Sequence, residues 1–101
     1  MKRDFKITAR IWIWPGNTPW HFISLDPELS KIIREQYPKA ATVKVKASLN
    51  ADENTNTKTE WQTSLFRNKK DNNYIMPIKK PIRLRTGLQG GDVVEVGIVV
   101  L

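Results

Sequence analysis

The residues that could do acid–base or nucleophilic chemistry are few and scattered. The one histidine, His21, stands between Trp20 and Phe22. Strand alternation turns it to the face opposite those two rings, which predicts a structural or edge histidine rather than a general base beside a partner. Asp52 and Glu53 adjoin in a polar stretch, Asn50 to Lys58, that reads as a mobile loop and so as a poor platform for positioned catalysis. Asp92 closes Gly90-Gly91-Asp92, where a carboxylate is well used bonding nearby amides of the turn. Without cysteine there is no thiolate nucleophile, disulfide or zinc–thiolate site. The glycines match no nucleophile elbow, P-loop or dinucleotide fingerprint. One histidine with dispersed acids also lacks metal-ligand spacing. The sequence therefore predicts no catalytic residue, no metal and no cofactor.

Binding chemistry is better represented. The chain carries a net charge of +7, and seven cations (Arg67, Lys69, Lys70, Lys79, Lys80, Arg83, Arg85) against the single acid Asp71 fall between Arg67 and Arg85. Such a run is either a solvated surface or a face for an anionic partner. Two readings follow. In the first, a barrel mouth lined by Trp14, Trp20 and Tyr37 takes a small anionic ligand or a protein partner, with Arg83 or Lys80 fixing the anion. Arg83 is singled out because a guanidinium fork beside a helical turn suits carboxylate or phosphate. In the alternative, Arg67, Lys69, Lys70, Lys79, Lys80 and Arg85 neutralise nucleic-acid phosphates while Trp12 stacks on a base. Trp61 shares the register of Thr63 and Leu65 and belongs to the core.

The elements that must position these groups are mostly strands. Phe5, Ile7, Ala9, Ile11 and Ile13 alternate with Lys6, Thr8 and Arg10, predicting one strand from Phe5 to Trp14. Pro15-Gly16-Asn17 turns the chain into a second strand, Trp20 to Leu25. Asp26 can cap a helix of about ten residues, with Pro27 at its first position and Leu29, Ile32, Ile33 and Tyr37 as its apolar stripe, before Pro38 stops it. Further strands are predicted around Val43–Leu49, Thr59–Phe66 and Tyr74–Ile78, Pro77 marking an edge or bulge. A helical turn at Pro81–Thr86 and a last strand at Val93–Leu101 complete the chain. Residues 1–101 thus read as one domain: mostly β, a small closed or nearly closed six-stranded barrel with one helix after strand 2 and a short helical turn before the last strand. No apolar run is long enough to be a leader or a membrane span, so the expected compartment is the cytoplasm and no membrane partner is expected.

Five blocks in order also carry a resemblance. They are Phe5 through Trp12/Trp14, Trp20-His21-Phe22-Ile23-Ser24-Leu25, the capped helix with Ile32-Ile33, Trp61-Gln62-Thr63-Ser64-Leu65-Phe66, and Tyr74 to Lys80 followed by Ile82-Arg83, Gly87-Leu88 and Gly91-Asp92. Together they resemble the bacterial domain-of-unknown-function family nineteen-oh-five, whose members stand alone or are fused to YdeI-like, OmpD-associated bacteriocin-protection domains. The resemblance implies a small β-barrel with a helix across one opening and implies no activity. Tyr74 to Val96 is also similar to the swapped-hairpin regulators of the AbrB type, which implies the nucleic-acid alternative.

Overall fold

The computed structural model describes residues 4–52 and 57–101. Its elements are β1 (Asp4–Arg10), β2 (Trp12–Ile13), β3 (His21–Ser24), α1 (Pro27–Gln36), β4 (Thr42–Asp52), β5 (Thr57–Arg67), β6 (Tyr74–Pro77), α2 (Lys80–Thr86) and β7 (Val93–Val100). The strands form one antiparallel sheet in the order β1-β7-β4-β5-β6-β3-β2. The two outermost strands are consecutive pieces of chain, so the sheet curls round until its ends meet at Ile11. The expected mostly-β, nearly closed barrel thus takes the form of one strongly curled sheet, with its predicted first strand broken in two. The break has a cause. Ile11 leaves the β1 ladder, donates its N–H to Asp92 O and accepts from Gly91 N, both at 2.8 Å. That lets β1 pair with β7 and β2 pair with β3.

Alternation fills the interior. Phe5, Ile7, Ile11, Ile23, Leu25, Val43, Val45, Ala47, Leu49, Leu65, Tyr74, Met76, Ile78 and the even-numbered residues Val94–Val100 of β7 form one buried cluster, against which Trp61 packs half-buried. β4 and β5 run further than predicted, to Asp52 and from Thr57, so both ends of the expected Asn50–Lys58 loop belong to the hairpin. Its tip, with Glu53, lies outside the described residues.

α1 begins as the sequence predicts: Asp26 Oδ1 accepts from Leu29 N at 2.7 Å, and Pro27 starts the first turn. Its buried stripe differs. Leu29, Ser30 and Ile33 face the sheet while Ile32 is exposed. A serine occupies the stripe because β6 needs it. The Tyr74 carbonyl accepts from Leu25 N, but the chain turns into α1 at Asp26 and the Tyr74 N–H is met instead by Ser30 Oγ at 3.0 Å. A buried hydroxyl thus completes a ladder that β3 ends too early to complete. The predicted helical turn is α2, seven residues stopped by Gly87 in the left-handed conformation (φ 75°), whose N–H returns to Arg83 O.

Candidate functional site

The outward register of β2, β3, β6 and β5 is apolar where a solvated barrel wall would be polar. Trp12 lies opposite Phe22, Phe22 opposite Pro77, and Ile75 opposite Phe66. Phe22 is the hub: Trp12, Trp14 and Trp20 stand with ring centroids 5.1, 6.3 and 6.3 Å from it, Trp20 stacked at 12°. Trp12 is pinned by its indole N–H, which donates to Ser24 Oγ at 2.9 Å. Trp14 and Trp20 remain about half exposed (48% and 50%). Aromatic pairs of this kind add about 0.5–1.5 kcal/mol each beyond area burial, so the wall is pre-formed rather than assembled on binding.

Beside this wall lies a groove of about 530 Å³, lined by Trp14, Trp20, Phe22, Thr63, Ser64, Phe66, Ile75, Pro77 and Lys79. The ladder geometry explains why it exists. Arg67 N donates to Ala41 O, while Lys44 O is taken by Leu101 at the end of β7. Antiparallel alternation then turns the N–H and C=O of Ser64 and Gln62 away from β4, toward β6. On β6, Tyr74 O and Ile78 N bond to β3, which turns Ile75 and Pro77 toward β5. The β5–β6 register pairs Phe66 with Ile75 and Arg67 with Tyr74. The next facing pair would be Ser64 with Pro77, and Pro77 has no N–H to give. At Lys79, which would face Gln62, the chain turns into α2. The β5–β6 seam therefore opens after Phe66, and the groove occupies the opening. It reaches through to Thr63, whose register partner Val45 is buried in the core.

Lys79 is the charged residue of the lining. Among the described residues the ion pairs are Lys6–Glu95 (3.1 Å) and Lys46–Glu60 (2.7 Å), so Lys79 has no carboxylate partner there. A half-exposed aromatic cleft with two hydroxyls, an open strand edge and one ammonium can hold a flat or apolar group with an anionic end.

The structure brings Trp14 and Trp20 together in this groove but not the other residues expected at a mouth. Tyr37 is the C-terminal cap residue of α1 and packs against the core. Lys80 is exposed on α2 outside the groove lining. Arg83 is partly buried, and its Nε donates to Ile78 O at 3.1 Å, a bond that fixes α2 to the end of β6. The basic run is also divided. Lys69 and Lys70 sit in the β5–β6 turn and Lys79 and Lys80 beyond the far end of β6, with its four residues, roughly 13 Å of strand, between them. Arg67 turns back on Tyr74, its guanidinium 5.7 Å from the ring centroid and Nη2 donating to the phenol oxygen at 3.3 Å. Arg85 is exposed on α2, and Trp12 is half-buried in the aromatic wall.

His21 is half-buried with Nδ1 2.8 Å from Pro19 O. A carbonyl only accepts, so the proton sits on Nδ1 and the ring holds the β2–β3 turn. Asp92 Oδ2 accepts from Gln89 N at 2.8 Å, the turn role expected of it. No group of three or more metal-ligating side chains occurs among the described residues. No described helix is long and apolar enough to cross a membrane. Sequence reasoning misses Thr63, which is on the inward phase of β5, and also Phe22, Ser64, Phe66, Ile75 and Pro77 as site residues. The last five carry a signal: each is on the outward phase of its strand, where Phe66 and Ile75 in particular are apolar beyond what alternation requires.

The sequence profile of the family described as "Domain of unknown function (DUF1905)" matches residues 8–98. That span holds every residue of the groove, and the chain belongs to this family. No curated protein matches the chain.

Proposed function

We propose that this member of the DUF1905 family is a non-enzymatic binding module whose site is the aromatic groove, seating the apolar part of a ligand or protein partner on Trp14, Trp20, Phe22 and Phe66 and its anionic group at Lys79. The observation that carries this reading is the groove's composition: a rigid, half-exposed aromatic wall facing a cation that has no acid beside it among the described residues. Half-exposed Trp14, Trp20 and Phe66 around one groove support a recognition role over a merely solvated wall. His21 hydrogen-bonded to a turn carbonyl, and Asp92 to a turn amide, argue against an acid–base role. The division of the basic run between the two ends of β6 argues for a single anion at Lys79 over a tracked phosphate backbone.

The test is a titration with 8-anilinonaphthalene-1-sulfonate, a planar aromatic anion, followed by quenching of tryptophan emission. Saturable binding at one site is expected, weakened about tenfold or more by Trp20→Ala or Phe66→Ala, given ~1–3 kcal/mol per stacked ring. Lys79→Gln should weaken it severalfold, more at low salt than at high salt. Unchanged affinity in all three variants, each with a native near-UV dichroism spectrum, refutes the reading.

A further inference from the structure

The groove has a feature that a site for one small molecule does not need. Its lining includes β5 at Ser64, and alternation turns the backbone N–H and C=O groups of Ser64 and Gln62 toward the side that Pro77 leaves unpaired. Among the described residues no strand pairs with that edge beyond Phe66. Two successive outward-turned residues on a strand repeat every ~6.8 Å, the spacing of a second strand's own donors and acceptors. Resting on the groove being the binding site, we propose that its partner is an extended, acidic, aromatic-bearing peptide segment that adds to β5 as an extra antiparallel strand.

The register fixes how it lies. A strand antiparallel to β5 runs in the direction of β6, from the paired end of the groove at Phe66 and Ile75 toward Lys79, two residues beyond Pro77 in the lining. Its backbone bonds supply what Pro77 cannot. Alternate side chains fall on the outward phase shared by Ser64 and Phe66 and meet the rings of Trp14, Trp20 and Phe22, the two-part logic of strand addition. Its C-terminal end carries the acids, because that end reaches the Lys79 ammonium and the chain as a whole is net +7. The recessed edge favours a lone strand. The β5 edge of a second copy would arrive flanked by its own aromatic wall and carrying the same positive charge, so a peptide is the better occupant than a second protomer.

The experiment is isothermal titration calorimetry of the full chain with the blocked heptapeptide acetyl-Thr-Tyr-Thr-Tyr-Thr-Glu-Glu-amide and two backbone-methylated forms. One form carries N-methyl groups on the amides of the tyrosines, the other on those of the second and third threonines. Strand addition predicts one-to-one binding that one methylated form loses by tenfold or more while the other keeps it within about twofold. Alternation is the signature of a ladder, and side-chain seating alone does not produce it. Replacing both glutamates by lysine should weaken binding at least fivefold, as should Ser64→Pro in the protein. Equal affinity of the two methylated forms, or no binding by any peptide while anilinonaphthalene sulfonate still binds the groove, overturns strand addition and leaves the groove reading standing. Failure of both probes overturns both. A dimer in sedimentation without peptide, abolished by Ser64→Pro, overturns the peptide in favour of a second copy.

Discussion

Pro77→Val tests the physical origin of the groove. Pro77 is buried, faces Ser64 across the open seam and cannot donate. Valine keeps an apolar side chain of similar size and restores the N–H, so the β5–β6 ladder can extend by one pair beyond Phe66↔Ile75. One added backbone bond contributes about 0.5–1.5 kcal/mol. Removing proline also frees the unfolded chain, which costs about 0.4–1 kcal/mol. These largely cancel, so thermal stability should move by no more than a few degrees in either direction. Stability is therefore the wrong readout, and two others decide. The amide restored at position 77 should exchange on the order of a hundredfold more slowly than an open amide. Affinity for anilinonaphthalene sulfonate should fall severalfold, because the ladder closes the seam the probe enters. An unprotected amide at that position, with undiminished probe binding, would show that the groove does not arise from the missing donor.

Three further substitutions probe the frame. Ser30→Ala strands the buried Tyr74 N–H now bonded at 3.0 Å and should cost about 1–3 kcal/mol in urea unfolding; a change below ~0.5 kcal/mol would mean water reaches that amide. Asp26→Ala removes the acceptor for Leu29 N and should cost about 1 kcal/mol, with Asp26→Asn or Asp26→Ser recovering most of it. Gly97→Ala would place a Cβ 2.7 Å from Ser48 Oγ on the neighbouring strand and should cost about 1–3 kcal/mol, whereas adding Ser48→Ala should return more than half. Additive losses in that double variant would locate the strain elsewhere.

What the sequence makes legible follows the strength of alternation. β7 and the β4–β5 hairpin have one buried phase sustained over many residues, so periodicity alone places them and their core residues. The α1 boundaries are legible through Asp26 and Pro27, which act locally. The break of the first strand at Ile11 is not, because it is imposed by Gly91 and Asp92, some eighty residues away. Ser30 in place of Ile32 on the buried stripe is hidden for the same reason, its partner being an amide on β6. The site is half legible. Trp14 and Trp20 are conspicuous by type, but which cation joins them depends on how α2 leaves the sheet. α2 uses Arg83 to hold itself to Ile78 O, and Lys79, one residue before α2 begins, is the cation that reaches the groove. Pro77 is legible as an edge or bulge signal, yet its consequence needs the register that sets it against Ser64.

An open strand edge is ordinarily a hazard, since a row of outward N–H and C=O groups will pair with any extended chain. Here the edge at Ser64 lies beside a wall of rings. A flat sheet edge is blocked by Trp14 and Trp20, whereas a single strand can lay its alternate side chains against them. The geometry that suppresses edge-to-edge aggregation is thus the same geometry that admits a peptide. The two properties should then fail together. Trp14→Ala with Trp20→Ala should lose peptide affinity and also raise the rate of aggregation on prolonged incubation near the midpoint of thermal unfolding. Loss of peptide binding with an unchanged aggregation rate would separate recognition from protection and leave the wall as a binding surface only.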